Sequence, residues 1–179
     1  MRADSQPQSA IVVMGVSGSG KTTIGRRLAE RLGVRFVDAD DLHPESNRQK
    51  MAGGTPLDDD DRWPWLEAVA QAISAELDAD RGIVVACSAL RRRYRDALRA
   101  GTGSEVVFAH LAGPSDLLHA RMAARPGHFM PPALLASQLE TLEPLEPDEA
   151  GTVVSIAEDP EVIVAAIRDW SRRRTEALA

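Results

Sequence analysis

Absences set the first limits on this chain. It has a single cysteine, Cys87, so no internal disulfide can form, and a reducing, cytoplasmic setting is expected. No apolar run approaches the ~20 residues that a membrane-spanning helix needs. Residues 1–9 contain no apolar core, which argues against a secretory signal and reads as a short disordered lead-in. An excess of positive charge is missing too. The formal net charge of −6 argues against a nucleic-acid partner, although Arg91-Arg92-Arg93 and Arg172-Arg173-Arg174 are locally dense. There is no internal repeat, no low-complexity tract and no linker long enough to divide the chain, so residues 10–175 read as one domain. The 44% hydrophobic and 27% charged content leaves an ordinary globular protein as the expectation.

What the chain does contain is Gly15-Val16-Ser17-Gly18-Ser19-Gly20-Lys21-Thr22, between an apolar run and a helical pattern. Gly, four residues, Gly-Lys-Thr in a strand-to-helix setting is the phosphate-binding P-loop. Glycines let the backbone approach a ligand, and successive N–H groups at a helix N-terminus attract phosphate oxygens. Lys21 reaches the β- and γ-phosphates, and the Thr22 hydroxyl is a Mg²⁺ ligand in such loops. Residues 15–22 with Thr23 are therefore the candidate nucleotide site.

Ile11–Met14, Arg35–Val37, Ile83–Ala86, Val106–Leu111 and Val153–Ile156 read as strands, the apolar ones of a kind buried on both faces. Helical patterns lie between them: residues 23–32 closed by Gly33, a short helix from His43-Pro44 to Met51, and a long one from about Trp63-Pro64, with Asp60 or Asp61 as its N-cap. Residues 90–99, 114–124, 131–142 and 160–173 complete the set. Such alternation predicts an α/β fold with a parallel sheet covered on both faces.

Other P-loop classes fit poorly. No guanine-reading Asn-Lys-x-Asp occurs, and the strand at 83–86 runs into Cys87-Ser88-Ala89 rather than an acid. The acids come early, at Asp38 and Asp40, where carboxyl ends of parallel strands line one crevice. Alternate residues point the same way, so both can face the γ-phosphate. One is a candidate Mg²⁺ ligand and the other a partner for an acceptor hydroxyl; capping of the next helix is the competing role for both. Arg121 and Arg125 share a helix face, and Arg125 leads into Pro126-Gly127. That pattern suits a mobile lid over about 121–135, with Arg125 stabilising transferred charge.

At this point the residues resemble a known family. Asp38-Ala-Asp-Asp-Leu-His-Pro44, Asn47-Arg-Gln-Lys-Met51, Gly54-Thr-Pro-Leu-Asp-Asp-Asp-Asp-Arg62, Pro64-Trp-Leu66, Cys87-Ser-Ala-Leu90, Tyr94-Arg-Asp96, Gly127-His-Phe129 and Ser137-Gln138, with the P-loop, are similar to the small gluconate kinases (gluconokinases). The resemblance covers roughly residues 10–170. It implies a nucleoside-monophosphate-kinase-like fold with strand order 2-3-1-4-5 and a mobile lid. It also implies ATP-dependent phosphorylation of D-gluconate to 6-phosphogluconate with Mg²⁺, and commonly a homodimer. Arg91 stands where the family usually has Lys, and Thr22 where Ser is common.

Gluconate, a carboxylate with several hydroxyls, calls for a few cations and many hydrogen-bond partners. His43, Lys50, Arg62, Arg95 and His128 are rim candidates, with Arg62 and Arg95 the best carboxylate partners; Lys50 has the acids at 58–61 as a competing partner. Ser88 and Gln138 complete the acceptor set, Lys21, Asp40 and Arg125 the catalytic set, and Thr22 with Asp38 the metal set. Arg121 and residues 157–160 are adenine-side candidates by fold analogy. A kinase for shikimate or a related sugar acid is the near alternative, although residues 140–149 lack the Arg that a shikimate site expects. A non-catalytic nucleotide sensor is the distant one.

Overall fold

The computed structural model describes residues 9–124 and 132–178. Five strands form one parallel sheet: β1 (Ala10–Met14), β2 (Arg35–Asp38), β3 (Ile83–Ala86), β4 (Val106–Ala112) and β5 (Gly151–Ser155), in the order β2-β3-β1-β4-β5. This is the expected order. Side chains alternate across the pleat. Ala10, Val12 and Met14 of β1 join Ile83 and Val85 of β3 and Val106 and Phe108 of β4 on one face. Ile11, Val13, Val84, Val107 and Ala109 take the other. Both faces are apolar because both are covered, which is why these strands read as continuous apolar runs.

The helices are α1 (Lys21–Leu32), α2 (Glu45–Ala52), α3 (Asp59–Leu77), α4 (Arg92–Thr102), α5 (Ser115–Ala123), α6 (Pro132–Thr141) and α7 (Pro160–Leu178), with a 3₁₀ turn at Ala39–Leu42. Trp65, Leu66, Val69 and Ile73 of α3 and Tyr94 and Leu98 of α4 pack on the first face. Ile24 and Leu28 of α1, Leu118 of α5, Leu135 of α6 and Ile163 and Ile167 of α7 pack on the second. The strands' carboxyl ends and the connections after them therefore open on one rim.

Among the helix starts that differ from expectation, two shape that rim. Helix α3 begins five residues before Pro64, capped by Asp58 rather than Asp60 or Asp61. Asp58 Oδ1 accepts from the Asp61 N–H at 2.9 Å, and Asp61 Oδ2 accepts from the Asp58 N–H at 3.0 Å, a reciprocal capping box built from two aspartates. Helix α4 begins at Arg92 rather than Leu90, because Ala89 takes a positive φ of 43° and Arg91 is extended. Ser88, Ala89 and Leu90 are thereby left as wall rather than helix.

Candidate active site

The P-loop runs from the end of β1 into α1. Gly20 is the N-cap of α1 in the left-handed region, φ 93°. Gly18, at φ 82°, lies so close to α5 that a Cβ there would come within 2.9 Å of Met122 Cγ and 3.1 Å of the Leu118 carbonyl oxygen. Lys21 Nζ donates to the Val16 carbonyl across the loop at 3.1 Å. Beneath the loop, the Ser19 hydroxyl is buried with no hydrogen-bond partner among the described residues. The loop's start is tied to α6, since the Ser17 N–H donates to Gln138 Oε1 at 2.7 Å.

The Thr22 hydroxyl donates to Asp38 Oδ2 at 2.7 Å, so the end of β2 meets the first turn of α1. Asp38 also caps the 3₁₀ turn, its Oδ1 accepting from the Asp40 N–H at 3.1 Å. A hydroxyl and a carboxylate side by side are hard oxygen donors. They suit Mg²⁺, which keeps several waters and needs few protein ligands. Among the described residues no group of three or more His, Cys, Asp or Glu gathers as a metal cage.

A cleft opens beside the loop, lined by Ser17, Lys21, Asp40, His43, Met51, Pro56, Leu57, Arg62, Trp65, Ser88, Leu90, Leu134, Ser137 and Gln138. Seven of the expected site residues meet here: Ser17, Lys21, Asp40, His43, Arg62, Ser88 and Gln138. The Asp40 side chain is 72% exposed at the cleft mouth. Desolvation by the surrounding protein raises its pKa, Lys21 opposes the rise, and Asp38 and Asp41 add to it. His43 is held at about 4, chiefly by burial and then by Arg48 and Arg62, so its ring is neutral. Arg62 lies over the Tyr94 ring, its Cζ 5.3 Å from the centroid. Its Nη1 donates to the Leu57 carbonyl and, at 3.3 Å, to the Tyr94 hydroxyl; the rest of the guanidinium has no partner among the described residues.

Two expected acceptor residues are not in the cleft. Arg95 is fully buried and spent on protein partners: Glu149 and the carbonyls of Ala89, Leu90, Glu143 and Pro144. It shapes the Ser88–Leu90 wall from behind and has no donor left for an acceptor. Lys50 is paired with Asp61 at 2.7 Å, the competing role foreseen for it. Arg121 lies on the other side of the loop, near Gly20, where its Nη2 donates to the Ile156 carbonyl at 2.6 Å, just ahead of residues 157–160. Arg125 and His128 lie outside the described residues, as does the middle of the lid segment, residues 125–131. Cys87 is buried, and burial pushes its thiol up to about 12, so it is no nucleophile.

The apolar wall of Met51, Leu57, Leu90 and Leu134, and Ser137 beside Gln138, was not foreseen as lining: all but Leu134 stand in runs that carry the resemblance, but their meeting in one cleft is made by the fold. Trp65 packs in the core and also lines the cleft, stacked on His43. Asn47, buried behind His43, was missed as a site residue, although it opens the run Asn47–Met51 that carries part of the resemblance and lies four residues after His43.

A P-loop facing a rim aspartate across a cleft of small-molecule size defines a P-loop phosphotransferase acting on a small acceptor. The shikimate kinase family model matches residues 17–146. A probable gluconokinase of Xenopus tropicalis is 44% identical over 171 residues, 88% of this chain and 90% of that protein. A gluconokinase of Gluconobacter oxydans is 46% identical over 154 residues, covering 86% of each chain. The crystal structure of a gluconokinase from Sinorhizobium meliloti superposes with a TM-score of 0.85 at 42% identity, over 96% of both chains. The chain belongs to the gluconokinase family of shikimate-kinase-like P-loop kinases.

Proposed function

We propose that this chain phosphorylates D-gluconate at its 6-hydroxyl with ATP, the triphosphate lying on residues 15–23 and the acceptor in the cleft beside Asp40. The observation that carries the reading is the meeting of Lys21 and Asp40 in one cleft, in a chain of this family. The two alternatives, a kinase for another small acid and a nucleotide sensor, are not favoured by the relatives.

Each residue has a task set by its placement. The P-loop N–H groups and Lys21 hold the triphosphate and offset charge developing on the transferred group. Asp40 accepts the hydrogen bond of the attacking hydroxyl and aligns it for in-line displacement; positioning of this kind supplies much of the rate in phosphoryl transfer. Thr22 and Asp38 would hold Mg²⁺, which neutralises phosphate charge when bound. The open part of the Arg62 guanidinium takes the gluconate carboxylate, and Ser88, Ser137 and Gln138 take its hydroxyls. The proposal extends to Arg121 on the adenine side, where its tie to the Ile156 carbonyl supports it. It also extends to a cytoplasmic homodimer, supported by the lone buried cysteine and the family resemblance respectively.

An acceptor panel with ATP, Mg²⁺ and coupled ADP detection tests the reading. Gluconate-dependent ADP release, absent with shikimate, is expected. ADP release independent of any acceptor, or preference for another acid, would refute it.

A further inference from the structure

We propose that Asn47 is a positioning residue that fixes His43 as the Nε2–H tautomer, so that the acceptor cleft presents a neutral hydrogen-bond donor next to Asp40. Asn47 is 2% exposed and does not line the cleft. Its Nδ2 donates to the Asp61 carbonyl at 2.8 Å. A carbonyl only accepts, so this bond sets which end of the Asn47 amide is the NH₂; the reversed amide would place oxygen against oxygen. The same Nδ2 lies 3.2 Å from His43 Nδ1. An amide nitrogen donates and cannot accept, so Nδ1 must be the bare, accepting nitrogen of the ring. The ring proton is left on Nε2.

The rest of the surroundings hold the ring in that pose. Trp65 stacks on it with centroids 4.1 Å apart and an interplanar angle of 14°, and Trp65 is itself anchored by Nε1 donating to the Ala39 carbonyl at 2.7 Å. Nε2 points to the cleft, 3.9 Å from Asp40 Oδ1. That gap is too long for a direct hydrogen bond, and both groups line the same cleft. An acceptor oxygen there receives a hydrogen bond from His43 and, as a hydroxyl, gives one to Asp40. Protonating Nδ1 would break the Asn47 bond and charge a buried ring, and burial already holds the His43 pKa at about 4. His43 is thus a donor to substrate and no proton acceptor, and Asp40 is left as the proton-accepting group.

The tautomer rests on geometry alone, whereas its kinetic consequence rests on the gluconate-kinase reading. The test uses the full chain labelled with ¹⁵N-histidine and long-range ¹H–¹⁵N spectra. The chain has four histidines, and the His43 signals are those lost in His43→Gln. Wild type is expected to show the Nε2–H pattern for His43. Asn47→Asp, whose carboxylate can only accept, is expected to move the proton to Nδ1. It should also raise KM for gluconate about tenfold, the worth of one good hydrogen bond, with KM for ATP unchanged. An Nδ1–H pattern in wild type overturns the proposal, and that arm needs no Asn47 variant to fold. An Asn47→Asp protein that keeps the Nε2–H pattern also overturns it. So does Asn47→Leu if it loses thermal stability while both KM values stay at wild type, since Asn47 would then be merely structural. If wild type turns over no gluconate, the functional reading fails while the spectra still decide the tautomer.

Discussion

Arg95 and Glu149 form a two-pronged ion pair inside the protein, Nε to Oε1 at 2.7 Å and Nη2 to Oε2 at 2.8 Å, with both side chains cut off from solvent. The pair joins α4 to the loop ahead of β5. Because Arg95 Nη1 also donates to the carbonyls of Ala89 and Leu90 at 3.1 and 3.3 Å, it braces the cleft wall in its unusual backbone shape. Arg95→Met would leave a buried carboxylate whose remaining partners are the Arg99 guanidinium and the Glu146 N–H. Removing one partner of such a pair costs about 3–5 kcal/mol, which urea unfolding should show. A loss below about 1 kcal/mol would mean that the pair is not buried as described.

Glu149 makes the same network visible to pH. Burial alone would raise its pKa, but the bonds from Arg95, the Glu146 N–H and Arg99 outweigh burial and hold it at about 2, against an ordinary 4.5. With the folded value below the unfolded one, the unfolded chain binds more protons as pH falls. Stability from this group is therefore complete above pH 4.5 and lost on the way down towards 2. Glu149→Gln should flatten the fall in melting temperature across that window. An unchanged slope would assign acid sensitivity to other carboxylates.

The roles proposed for Lys21 and Asp40 divide donor from acceptor chemistry. Lys21→Ala removes charge from the transferring phosphoryl and should lower kcat by about 10²–10³-fold. Asp40→Asn keeps the shape but removes the acceptor for the hydroxyl proton, and a loss of about 10²–10⁴-fold in kcat is expected. Calorimetric ATP affinity should survive the Asp40 change. Equal loss of binding and turnover would make Asp40 a nucleotide-site or folding residue.

Arg62 lines the cleft and is the proposed partner of the gluconate carboxylate. Arg62→Ala should raise KM for gluconate about 10–100-fold, the worth of a charge-assisted bond, with KM for ATP unchanged. Arg62→Lys should restore little, since an ammonium lacks the planar fork. Steady-state kinetics at saturating ATP decide this. An Arg62→Ala enzyme with wild-type gluconate KM would place the carboxylate elsewhere in the cleft.

Much of the fold was legible because its signals are local. Buried parallel strands read as unbroken apolar runs such as Ile83–Ala86, and the P-loop is a fixed spacing with a physical job for each position. The parts that were not legible depend on distant partners. Arg95 reads as a rim cation from its place near a helix start, and only the fold brings Glu149 opposite it, 54 residues away. In the run Asp58–Asp61 any aspartate is a plausible cap, and the reciprocal bonds between Asp58 and Asp61 select the first. Leu90 looked helical because the positive φ at Ala89 leaves no mark in the residue type. The apolar side of the cleft could not be foreseen, since Met51, Leu57, Leu90 and Leu134 meet only through the fold.

The proposed reaction is transfer of a phosphoryl group to the terminal hydroxyl of gluconate. Proton–phosphorus correlation NMR of the reaction product tests it most directly. With ATP, Mg²⁺ and gluconate, the new phosphate-ester signal should couple to the two protons on carbon 6, in step with ADP. A phosphate coupled to another carbon, or inorganic phosphate as the sole phosphorus product beside ADP, would contradict it.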